Sequence, residues 1–259
     1  MDCYAAGLGD CAGGPTKEHY VSSSVLELVG NKVRVSGFPW QQRDEAQDIG
    51  ISALASKILC AHHNSELSPL DNAGKEFLSA VKNAFDEAAD QGDFTDESIP
   101  IEGDLLELWF LKVLCGILAV SQGVSLPVEW VEVLFRRRGF DEGHGIHFFG
   151  VPGPATWYFN LLRVIPSLDK GGKLAGARFG VGGLAVLLAF GEPQFEEPGF
   201  DSRYRPESLM IHKGSNTKKL AFSWGNYEPT GSVFLRFEGI ADENSTLPRP
   251  IVLPNSKIF

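Results

Sequence analysis

Cys3 and Cys11 at the front of this chain, and Cys60 and His63 much later, offer four metal ligands from two short segments. Protein-bound zinc is ordinarily tetrahedral and held by Cys sulfur and His nitrogen from two such segments, so this set would tie distant parts of the chain together. Cys60-Ala61-His62-His63 has the C-x-x-H spacing that wraps a chain around one ion. Cys3 and Cys11 are more widely spaced, and the glycines between them would have to fold the segment back. His62 could serve in place of His63, and ordinary thiols are the alternative reading. The remaining Cys115 stands alone in an apolar stretch and reads as a small buried hydrophobe. With no basic region before an apolar run at the N-terminus, the chain reads as cytoplasmic, where free or metal-bound thiols are expected rather than disulfides.

Beside these ligands lie Lys17-Glu18-His19 and Asn64. Cleaving a phosphodiester needs a base to activate water and a cation to stabilise charge on the phosphate and the leaving oxygen. His19 is the candidate base, with Glu18 and Asn64 near a divalent cation such as Mg²⁺ or Mn²⁺, which takes oxygen ligands and keeps several waters. The competing reading of His19 is a zinc ligand or a packed core histidine. Asp71 could be a third carboxylate, but in Ser68-Pro69-Leu70-Asp71 it stands where a helix-capping acid belongs, and that role is preferred.

Taken in order, Cys3, Cys11, Lys17-Glu18-His19, Leu59-Cys60-Ala61-His62-His63-Asn64 and Leu67-Ser68-Pro69-Leu70-Asp71 resemble the HNH endonuclease family. The resemblance implies a ββα-metal unit held together by a structural zinc on Cys3, Cys11, Cys60 and His63. It implies His19 as general base, Glu18 as the acidic residue beside it and Asn64 on the catalytic cation, with Asn31 as the residue that steadies the loop. DNA is the implied substrate, and genome defence or a mobile element the implied context. Glu18 stands where many members carry Asp, and His63 where a fourth Cys is usual.

The formal net charge of −10 argues the other way, because nucleic-acid binding draws on clustered Lys and Arg. Arg136-Arg137-Arg138 and Lys218-Lys219 are the basic runs, and the arginines also suit a helix C-terminus. The rival expectation is therefore a non-catalytic, zinc-stapled module that binds a protein or a small ligand. An enzyme with its pocket near Trp157, Tyr158 and His147 is a third reading. A protein partner or homo-oligomer is compatible with all three, and no apolar run reaches bilayer-spanning length.

The periodicity predicts a strand at Val33 and Val35 and a short helix or turn over Ile51 to Cys60. Helices are predicted from Ser68 to about Ala89, over Asp104 to Val120 and over Pro127 to Arg138. After Gly139 the texture turns to β, with strands beginning near Ile146, Tyr158, Gly176, Leu184, Ser208, Leu220 and Ser232. The class is α+β: an N-terminal HNH-like zinc unit over residues 1–90, then helices and an antiparallel sheet in an α+β domain over 91–259.

Overall fold

The computed structural model describes residues 3–38, 41, 46–89, 94–121, 125–150, 155–157, 161–169, 171–191, 201–225 and 227–240. The first part runs β1 (Pro15–His19), α1 (Ser23–Val29), β2 (Lys32–Ser36), β3 (Ala46–Gly50), a 3₁₀ turn, β4 (Ala55–Cys60), α2 (Ala61–Glu66) and α3 (Ser68–Ala89). β5 (Glu97–Glu102), α4 (Gly103–Val120) and α5 (Val128–Leu134) follow. The strand-rich remainder comprises β6 (Gly145–Gly150), β7 (Ala155–Trp157), β8 (Leu161–Leu168), β9 (Leu174–Val181) and β10 (Leu184–Ala189). It closes with β11 (Asp201–Tyr204), β12 (Ser208–Lys213), β13 (Asn216–Ser223) and β14 (Ser232–Ile240).

The α+β class holds, and the long helices sit where the apolar spacing puts them. α3 buries Leu70, Phe77, Leu78, Val81 and Phe85, one face of a 3.6-residue repeat, while α4 is buried around most of its circumference. The two helices pack closely. A Cβ on Gly74 would lie 2.4 Å from the Trp109 indole, so α3 gives up a side chain where α4 places its largest one.

Ile51 to Cys60 corrects the sequence expectation. Its first four residues form a 3₁₀ turn, and Ala55–Cys60 is a strand paired antiparallel with β1. A short apolar run bounded by turns does not distinguish helix from strand on periodicity alone. The predicted third helix is also shorter: it ends at Leu134, and Arg136 has already turned to a left-handed φ of 56°.

A seven-stranded sheet has the order β11-β6-β10-β9-β8-β2-β3, and a five-stranded sheet the order β5-β13-β12-β14-β7. The later strands are not wholly antiparallel as expected. Hairpin neighbours such as β8–β9 and β9–β10 are antiparallel, but β2–β8, β5–β13 and β12–β14 are parallel. Parallel partners need long crossover connections, which local turn signals do not reveal. β2 and β3 join the same sheet as β8 to β10, so segments on both sides of residue 90 share hydrogen bonds and one buried core. No helix among the described residues is long and apolar enough to cross a membrane.

Candidate functional site

Cys3, Cys11, Cys60 and His63 converge, their ligand atoms all within 4.8 Å of one another. His63 Nδ1 lies 3.4, 3.6 and 3.2 Å from the sulfurs of Cys3, Cys11 and Cys60. The wide gap between the first two cysteines is closed by a 3₁₀ turn over Ala6–Leu8, after which the backbone docks on α2. There His62 N–H donates to the Ala12 carbonyl and Ala61 N–H to that of Gly14. Gly13 makes the docking possible, since it adopts a φ of +75° and a Cβ there would meet the Ala61 methyl at 2.8 Å.

The far side of His63 is also built. Its Nε2 lies 2.8 Å from Asp10 Oδ1, and Arg137 pairs with the other Asp10 oxygen. An Nε2–H donated to this carboxylate leaves the Nδ1 lone pair facing the three sulfurs, the usual outer support of a metal-bound imidazole. Phe135 packs edge-on against the same ring, which is fully buried. His62 is excluded from the sulfur cluster and pairs instead with Glu66 at 3.7 Å.

Shared hydrogen bonds set the Cys60 and Cys11 thiols apart. Burial raises the Cys60 thiol, but hydrogen bonds from the backbone of His63 and Ala12, and then from Cys11 and Cys3, bring its pKa down to about 6. Cys11 goes the other way, to about 12, through burial and then its hydrogen bonds to Cys3 and Cys60. Three thiolates this close repel one another unless a positive ion sits among them. The four donors therefore fit a metal ion, and their three-sulfur, one-nitrogen composition is that of a structural zinc site. Because Asp10 orients His63 from outside, Asp10→Ala should weaken zinc binding by about 10- to 100-fold, measured by competition with a chromophoric chelator.

The cluster sits where β4 becomes α2, beside β1. Asn64 on α2 donates its amide to Thr16 Oγ1 at 3.0 Å, and Thr16 in turn donates to the Leu59 carbonyl. Three residues further along the same strand, at about 3.3 Å per residue, stands His19. Asn64 and His19 thus belong to opposite ends of β1 rather than facing each other directly. The His19 side chain is half-buried, and its imidazole has no hydrogen-bond or ion-pair partner among the described residues. Burial, then the charges of Lys17 and Lys112, hold its pKa below the ordinary value, so the imidazole is neutral near pH 7.

Glu18 points the other way, into the core. Its carboxylate lies 2.6 Å from the Lys112 ammonium, and Lys112 also pairs with Asp71. Asp71 accepts from Ser22 Oγ, which itself accepts from the Trp109 indole N–H at 2.9 Å. Asp71 is therefore no helix cap: α2 leads into α3 through Leu67 alone, and the side chain faces β1 and α4. As they stand, Glu18 and Asn64 do not fit a second, divalent cation. The Lys112 ammonium already occupies the space between the two carboxylates, and the Asn64 amide is spent on Thr16. Asn31 is exposed in the turn before β2.

Lys112 is the residue that sequence reasoning passed over. The available signal was one lysine within the otherwise apolar run 108–120. Of the third reading, Tyr158 lies outside the described residues. His147 is held neutral, with a pKa of about 4, by burial and by the Arg205 charge.

Comparison with family models, curated proteins and solved structures found no match.

Proposed function

We propose that the chain is a zinc-stapled nuclease of HNH type, acting on DNA with His19 as its general base. The supporting observation is that one metal-binding cluster ties together the two paired strands β1 and β4 and the helix that follows them, with Glu18-His19 ending the first strand and Asn64 on the helix. That is the order of parts in a ββα-metal unit, with α1, β2 and β3 inserted between its strands. A neutral, unpartnered imidazole suits the removal of a proton from water. On the same outward face of the sheet, Lys17 and Lys57 stand directly opposite each other, both exposed and unpaired among the described residues. Like charges placed so are unfavourable alone and are relieved by an anion such as a phosphodiester. Zinc holds the unit together. Lys112 takes the position that a divalent cation on Glu18 would need, so no step is assigned to Mg²⁺ or Mn²⁺.

A specific observation favours the rival module. Glu18 and Lys112 are buried and Lys112 is ion-paired with both Glu18 and Asp71, as expected of a site retained for structure rather than reaction. Plasmid cleavage separates the two readings. The nuclease reading expects nicking by the zinc-loaded protein, a loss of about 10²- to 10⁴-fold in His19→Ala with zinc content unchanged, and a rate that rises with pH through a midpoint below the ordinary imidazole value of about 6.5. No cleavage of DNA or RNA, with Mg²⁺, with Mn²⁺ or with neither, would leave the binding module standing.

A further inference from the structure

The three sulfurs of the metal-binding cluster are not equally placed. Cys11 is exposed, Cys3 is half-buried and Cys60 is buried. Cys11 also joins the group together, hydrogen-bonded to both Cys3 and Cys60, with all the ligand atoms within 4.8 Å of one another. It stands between Gly9 and Gly13, both at positive φ, in a stretch that belongs to no helix or strand. The remaining cysteine, Cys115, is fully buried in α4 and has no part in the cluster.

Oxidation of cysteine follows thiolate character and exposure, and a second sulfur within reach converts the first product into a disulfide. Sulfurs that hold a metal are already thiolates, so among these three exposure decides, and it singles out Cys11. Of its two sulfur neighbours, Cys60 is the one docked alongside it through the backbone. His62 N–H donates to the Ala12 carbonyl and Ala61 N–H to that of Gly14, while the Ala12 backbone bonds to the Cys60 sulfur. Cys3 is tied instead to β4, through the Tyr4 N–H and the Ile58 carbonyl. A disulfide accepts only a narrow range of backbone separations, which favours the partner already fixed beside Cys11.

We propose that Cys11 is a peroxide-sensitive site whose oxidation replaces the zinc clasp by a Cys11–Cys60 disulfide. The Cys11 sulfur attacks hydrogen peroxide: an S–O bond forms, the O–O bond breaks, and the departing hydroxide takes a proton to become water. The Cys60 sulfur then attacks the Cys11 sulfenic acid: an S–S bond forms, the S–O bond breaks, and a second water leaves. The two sulfurs together give up two electrons and the peroxide takes both. Cys3 and His63 remain as the only ligands, fewer than the four of a structural zinc site. The new bond closes the same join that the metal closes, so the N-terminal segment stays tethered to the start of α2. The inference rests on the four side chains holding zinc and is independent of His19, so a chain that cuts no DNA leaves it untouched.

Treating the full, zinc-loaded chain with hydrogen peroxide tests it. Zinc release is followed with a chromophoric chelator, and the disulfides are mapped by peptide mass spectrometry after free thiols are blocked. The expected result is about one zinc released per disulfide formed, Cys11 joined to Cys60, Cys3 and Cys115 recovered as thiols, and zinc rebinding after reduction with dithiothreitol. The oxidised, zinc-free chain should melt above the zinc-free chain kept reduced, and Cys115→Ser should release zinc at the parent rate. A chain with no affinity for zinc would remove the premise. A zinc-loaded chain that keeps its metal under peroxide, pairs Cys11 with Cys3, or passes irreversibly to the sulfinic acid would overturn the inference alone.

Discussion

If Cys3, Cys11, Cys60 and His63 hold zinc, stripping it, or replacing Cys60 with Ser, should unfold the β1–β4–α2 unit and lower the melting temperature of the whole chain by well over 10 °C. Structural zinc contributes an apparent 10–16 kcal/mol, about, in small zinc-dependent units at neutral pH, comparable to the entire stability of an ordinary domain. The unit is not a detachable appendage. Tyr20, immediately after β1, lies against Gly116 of α4, and Tyr4 of the N-terminal segment donates its N–H to Ile58 of β4. Loss of the four-ligand cluster therefore releases both β1 and the segment carrying Cys3 and Cys11 from the helical core. Calorimetry before and after treatment with a chelator under reducing conditions measures the effect. An unchanged transition would mean that packing alone holds the unit.

The second large effect is expected at Lys112. Lys112→Met replaces a buried ammonium by an apolar chain of similar length and leaves Glu18 and Asp71 without a counter-charge. Breaking a buried ion pair from one side costs about 3–5 kcal/mol, because the remaining charge stays desolvated. For a chain of this size that is a fall of about 10 °C in the melting temperature. Burial already pushes the Glu18 carboxyl upward, against the pull of Lys112, so losing the lysine would leave it protonated over a wider pH range. Adding Glu18→Gln and Asp71→Asn to Lys112→Met should recover most of the loss. If the triple variant is no more stable than Lys112→Met, the three side chains are not one coupled network.

Residue type and spacing picked out the four side chains that converge, because zinc chemistry restricts both. C-x-x-H at Cys60 and His63 could be read directly, and an isolated pair of cysteines upstream had few other uses. The choice between His62 and His63 was not legible, since it rests on Asp10 and Phe135 behind the ring. α3 and α4 followed from repeated apolar spacing over several turns. β4 did not, because six residues carry too little periodicity to separate strand from helix.

Glu18 and Asp71 were visible as candidate acids, but what they do is decided by Lys112, which reaches them only after α4 has packed on α3 and β1. What surrounds the buried Arg205 was illegible for the same reason. Its ion partner Glu107 and its aromatic neighbours come from separate elements, and a single arginine in Tyr204-Arg205-Pro206 carries no periodic signal. Sheet order suffered likewise, because β2 finds β8 across a long stretch of intervening chain.

X-ray absorption at the zinc edge of the purified, reduced chain tests the central claim most directly. The account predicts one zinc per chain, with three sulfur ligands near about 2.3 Å and one nitrogen near about 2.0 Å, and loss of a single sulfur from that shell in Cys11→Ser. A chain that retains no zinc, or binds it through oxygen and nitrogen alone, would contradict it.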